Sequence, residues 1–116
     1  MSPSHGLSEP TVKKLQAVFA AFPEVEKAVL YGSRAKGNFK PGSDIDLTLM
    51  GEGIDDRLSS RIYWALDDLL LPWQIDLSLF SKLRHPGLID HIQRVGIPLF
   101  DRERERSTAD RGRSSL

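Results

Sequence analysis

The residues of this chain best suited to chemistry are Asp44 and Asp46, with one residue between them, a Gly32-Ser33 pair ahead of them, and a third aspartate, Asp76, set in an apolar run. On an extended strand, side chains two positions apart leave the same face, whereas a helix would turn them about 200° from each other. Two carboxylates side by side repel, which raises at least one pKa unless cations remove the repulsion. Hard oxygen ligands without cysteine, and without histidine nearby in the chain, suit magnesium or manganese, which keep open positions for water and phosphate oxygens. Asp76 can join the pair if its strand lies beside theirs, and three convergent acids would suffice to hold two ions for an in-line transfer at phosphorus. Gly32 permits a backbone conformation closed to other residues and lets a ligand approach, and Ser33 adds a hydroxyl and an N–H. If Arg34 to Gly37 begins a short helix, its unpaired N–H groups and dipole face the same point and form an anion cradle. Arg34 and Lys36, with Lys40 beyond them, are candidates to neutralise phosphate charge.

These residues need elements to position them. Val12, Leu15, Val18, Phe19 and Phe22 recur at helical spacing, with Ser8 as cap and Pro10 in the first turn. The run from Lys27 to Tyr31 is apolar, short and closed by Gly32-Ser33, which predicts a buried strand ending in a tight turn. Residues 43–50 alternate, with Ile45, Leu47 and Leu49 on one face and Asp44, Asp46 and Thr48 on the other, the pattern of a half-buried strand. A second helical stripe (Leu58, Ile62, Ala65, Leu66, Leu69) stops before Pro72, with Tyr63 and Trp64 beside it. Residues 73–80 alternate again, placing Asp76 on a polar strand face. Pro86 opens a last helix carrying Leu88, Ile89, Ile92 and Val95, Gly96 follows its end, and Ile97 to Phe100 add a short edge strand. His85 reads as a helix-start residue, and the three histidines are given no role in the site. This order of elements predicts a mixed α/β (α+β) layer with helices on one face of a small sheet.

One domain over residues 7–101 accounts for the chain, whose 116 residues suffice for a single core but not for separate catalytic and substrate lobes. Residues 102–116 alternate arginines with acids before a serine-rich end and predict a charged, disordered tail. Sixteen basic and sixteen acidic residues cancel, so no global field draws in nucleic acid or a membrane, and any phosphate binding must be local. The absence of cysteine excludes disulfides and thiolate chemistry and fits a reducing compartment. With no basic-then-apolar start and no apolar stretch near the roughly 20 residues a bilayer span needs, the expectation is a soluble, cytoplasmic protein.

Gly32-Ser33-Arg34, a short loop, Ser43-Asp44-Ile45-Asp46-Leu47 and the later strand acid Asp76 together resemble the signature of the polymerase-β nucleotidyltransferase superfamily. The likeness is closest to its minimal prokaryotic members, covers roughly residues 12–102, and includes the segment Asp90-His91-Ile92-x-x-Val95-Gly96 typical of them. The resemblance implies a mixed sheet flanked by helices, with Asp44, Asp46 and Asp76 as metal ligands and catalytic triad and Gly32-Ser33 on the triphosphate of a magnesium nucleotide. It further implies an all-helical partner of the HEPN type, with this chain as the antitoxin of a toxin–antitoxin pair that moves AMP from ATP to a tyrosine of the toxin. Two other readings stand beside it. The chain could be a binding module that neutralises its partner by covering it, or the nucleotide-binding half of a two-chain small-molecule nucleotidyltransferase.

Overall fold

Ser8 starts the first helix in the computed structural model, which describes residues 5–40 and 42–103. Its side-chain oxygen accepts the Thr11 N–H at 3.4 Å, and proline in the first turn costs no internal hydrogen bond, so α1 runs Glu9–Ala20 and buries Leu15 and Phe19. The strand β1 (Lys27–Tyr31) and a single helical turn, α2 (Ser33–Lys36), follow, joined by Gly32. Then come β2 (Ile45–Met50), α3 (Asp56–Asp67), β3 (Ile75–Leu79), a 3-10 turn (Phe80–Lys82), α4 (Pro86–Val95) and β4 (Ile97–Asp101). Asp55 caps α3 by accepting the Leu58 N–H at 2.8 Å. His85 caps α4, its Nδ1 accepting the Leu88 N–H at 3.1 Å, which is the helix-start role its place before Pro86 predicts.

The four strands form one mixed sheet in the order β3-β2-β1-β4. β1 pairs antiparallel with β2 and β4, while β2 and β3 run parallel, as they must when α3 carries the chain back across the sheet between them. Ala28, Leu30, Ile45, Leu47 and Leu49 point toward α1 and α3 and build the main core with Leu15, Phe19, Leu58, Ile62 and Leu66. Val29 and Tyr31 point to the opposite face, where Ile92 of α4 covers them. The expected one-sided layer is therefore corrected: helices cover both faces. β1 announces this in its unbroken apolar run, the mark of a strand buried on both sides rather than alternating. Thr48, expected on the open face, is likewise fully buried, and its hydroxyl meets the Ser78 carbonyl at 3.5 Å.

The ordered domain extends past its expected end. Arg102, assigned by sequence to the tail, donates its backbone N–H to the Glu26 carbonyl at 2.8 Å, its Nε to Val25 at 2.9 Å and its Nη2 to Phe22 and Phe19 at 3.0 and 3.2 Å. Its guanidinium also lies over the Phe100 ring, 5.1 Å from the centroid, so one side chain ties β4 to the link between α1 and β1. The rest of the expected tail, from residue 104 on, lies outside the described residues. Of the two aromatic residues beside the α3 stripe, Trp64 is the exposed one, at 62 %. Among the described residues no helix is long and apolar enough to cross a membrane.

Candidate active site

Strand register brings the chemistry-bearing residues together. Tyr31 stands opposite Asp46 in the antiparallel ladder, and Asp46 stands level with Asp76 in the parallel one, so the three form a row across β1, β2 and β3 on the sheet face that carries α4. Asp44 is exposed and sits one residue ahead of β2, whose ladder begins at Ile45 with its N–H on the Gln74 carbonyl at 2.9 Å. The strand thus starts two residues later than the expected 43–50, and Asp44 belongs to the entering loop.

The electrostatics of the row follow from this proximity. Burial pushes the Asp46 carboxyl above its ordinary range, the charges of Asp76 and then Asp44 push it the same way, and His91 opposes them. The Tyr31 hydroxyl, 3.5 Å from Ser78 Oγ, is raised as well, by burial first and then by Asp76 and Asp46, with the Ser78 hydrogen bond opposing. With Asp76 and Asp44 both close enough to act on Asp46, the three carboxylates form a donor set of hard oxygens that suits a divalent cation such as Mg2+. Among the described residues, no three His, Asp or Glu side chains yet close around a point that one ion could occupy. The acids line a rim rather than a finished cage.

Gly32 connects the row to the next turn. It adopts φ 76°, ψ −154°, a region open in practice to glycine alone, and its α-carbon lies so close to Asp46 that a Cβ there would overlap Oδ2. Ser33 opens α2 directly beside it, and the first amides of any helix lack partners within it, the geometry behind the expected anion cradle. One amide is already committed, because the Gly32 N–H donates to His91 Nε2 at 2.9 Å. Lys36 is exposed in this turn.

Arg34 departs from its expected role. Instead of reaching toward phosphate, it is buried to 1 % exposure, with Nε and Nη2 donating to the Ser43 carbonyl at 3.1 and 2.9 Å and Nη1 to the His5 carbonyl at 3.1 Å. Phe39 and Trp73 flank its guanidinium at 4.9 and 5.1 Å from their ring centroids. Its fork binds the peptide just before Asp44, so Arg34 shapes the loop that presents that acid. Ser43 adds to the loop by accepting the Lys40 N–H on Oγ at 2.9 Å.

The side chain that sequence reasoning left out is His91. Its Nε2 meets Gly32, and its ring stands edge-on to Tyr31 with centroids 6.4 Å apart. Distance along the chain hid it. The available signal was its place one residue before the apolar Ile92 of the last helix.

A model of the family described as "Polymerase beta, Nucleotidyltransferase" matches residues 13–105. The chain belongs to this family. No curated protein matches it in sequence. Among solved structures, a chain from a toxin–antitoxin crystal structure with AMP-PNP is similar at 22 % identity and a TM-score of 0.62, covering 82 % of this chain and 74 % of its own. A complex of tri-AMPylated Shewanella oneidensis HEPN toxin with MNT antitoxin gives 15 % identity and a TM-score of 0.63, over 88 % and 79 % of the two chains. The toxin–antitoxin pair MntA-HepT gives 16 % identity and a TM-score of 0.61, over 87 % and 79 %. At these identities the likeness establishes the shared fold, a polymerase β nucleotidyltransferase fold with a four-stranded mixed sheet.

Proposed function

We propose that this chain transfers AMP from magnesium ATP to a hydroxyl, a tyrosine of an all-helical HEPN-type partner, and thereby acts as the antitoxin of a toxin–antitoxin pair. The observation that carries the proposal is the register of Asp46 with Asp76, next to the Gly32 turn and with Asp44 just ahead. Family membership supports nucleotidyl transfer in general. Neighbours of the same fold that hold AMP-PNP, or stand in complex with an AMPylated HEPN toxin, support the nucleotide and the partner.

In this reading Asp44, Asp46 and Asp76 hold Mg2+, with Mn2+ as an alternative, and the ion neutralises triphosphate charge and makes an attacking hydroxyl more acidic when bound. The residues of the chain do the rest. Gly32 lets the triphosphate approach the backbone, Ser33 offers its hydroxyl and N–H, and Lys36 adds charge at the edge. Arg34 acts one step back by holding the loop of Asp44. In this reading the acceptor hydroxyl comes from another chain.

Incubation with labelled ATP, magnesium and the candidate partner tests the proposal. Label should appear on the partner and vanish when Asp44→Ala and Asp46→Ala are combined; undiminished transfer by that variant would sink it.

A further inference from the structure

We propose that His91 is a positioning residue that keeps the Gly32 turn in its nucleotide-receiving form through the lone pair of Nε2. The inference rests on the nucleotidyl-transfer reading above and concerns a residue outside the acid row and outside the glycine-serine turn.

A backbone N–H can only donate, so the 2.9 Å contact with Gly32 makes Nε2 the acceptor and places the ring proton on Nδ1. The acceptor is needed where it stands. Glycine enters this region at little steric cost and leaves it as easily, so the contacts around it select the conformation. At Gly32 the surroundings are Asp46 against the α-carbon, the Lys36 N–H on the Gly32 carbonyl at 3.1 Å, and His91 at the amide. The Lys36 N–H belongs to the turn's own segment and Asp46 to the paired strand β2, whereas His91 is the side chain that reaches the Gly32 amide itself, from a helix anchored elsewhere. Ile92, its neighbour, is buried against Val29 and Tyr31, and His85 caps the start of α4. The same imidazole packs edge-on against Tyr31, the cross-strand partner of Asp46. One side chain therefore fixes both ends of the Tyr31-Gly32 step, at the point where the acid row meets the turn.

A hydrogen bond with a purely structural role would cost stability and leave ligand affinity untouched, and this separates the two roles. Three variants serve: His91→Gln, whose Oε1 reaches the place of Nε2, His91→Asn, whose acceptor is too short, and His91→Leu, which has none. Binding of magnesium AMP-PNP is titrated calorimetrically, and the Gly32 amide is followed in 1H–15N spectra. If loss of the acceptor leaves about a tenth of the molecules with a competent turn, His91→Leu and His91→Asn should bind about tenfold more weakly, and His91→Gln should stay within about threefold of the parent. The Gly32 amide proton should move upfield in Leu and Asn and return in Gln. Parental affinity in His91→Leu, or equal weakening in His91→Gln, overturns the proposal. Should His91→Leu fail to fold, the Asn and Gln pair decides by the same criteria. Failure of the unsubstituted chain to bind the nucleotide would sink the transfer reading instead; the Gly32 signal would then judge the contact alone, and an unmoved signal in His91→Asn would overturn it.

Discussion

Gly32→Ala offers the sharpest test of how the turn and the acid row depend on each other. At φ 76°, ψ −154° any other residue is strained, by roughly 1–3 kcal/mol. The added methyl would also overlap Asp46 Oδ2, the far end of a side chain that can swing aside. Yielding costs little stability but moves a carboxylate of the row. With about 2.1 cal/mol/K of unfolding entropy per residue over 116 residues, each kcal/mol lowers Tm by roughly 4 °C, so the variant should melt about 4–12 °C below the parent. Displacement by about 1 Å at a reacting centre can cost two orders of magnitude, so AMP transfer should fall by about 100-fold or more. Gly37→Ala is the control, since Gly37 is also left-handed, at φ 84°, but a Cβ there meets nothing within 4 Å. It should lose stability and keep transfer. The assay pairs thermal melts of both variants with label transfer under saturating magnesium ATP. Full transfer by Gly32→Ala, or equal loss by Gly37→Ala, would refute the claim that the turn acts through its contact with Asp46.

Asp46 predicts a pH signature for the metal-free protein. Its folded-state pKa lies above the unfolded value, so its contribution to stability is complete below the unfolded pKa and is lost as pH rises through the folded one. In EDTA, Asp46→Asn should therefore gain Tm relative to the parent as pH rises from the acid side of the carboxylate range to neutral, and a difference independent of pH would contradict this. Magnesium should raise the Tm of the parent and not of a variant with Asp44 and Asp46 both changed to Asn, as differential scanning of the two with and without the ion would show. Arg34→Met leaves the Ser43 and His5 carbonyls without their charged donor, which should cost about 1.5–3 kcal/mol by denaturant melts and reduce transfer through the loosened Asp44 loop. Arg102→Ala should lose a similar amount, about 1.5–3 kcal/mol, while retaining transfer, because its carbonyl partners lie around the α1–β1 link. A transfer defect in Arg102→Ala larger than its Tm explains would refute that separation.

Much of the frame was legible in local pattern. Ser8 with Pro10, the apolar run of β1 between Pro23 and Gly32, and the Pro86-to-Gly96 span of α4 each carry their own start and stop signals, because caps, prolines and glycines act on the backbone within a few residues. The two-residue spacing of Asp44 and Asp46 likewise speaks for itself, and so does the family signature built on it. Local pattern could not set which strand lies beside which. That Asp76 stands level with Asp46, rather than one residue away on the other face, is a matter of register between strands joined through α3, and a one-residue slip would have separated them. It could not separate an arginine that reaches phosphate from Arg34, buried between Phe39 and Trp73, because burial belongs to the packed state and not to the residue type. Nor could it bring His91 to Gly32 across 59 positions of chain, since that contact exists only once α4 covers the second face of the sheet. The sequence by itself determined the elements, the acids and the turn. Tertiary packing alone decided which of these meet, because contacts between distant segments depend on how the sheet and helices close on one another.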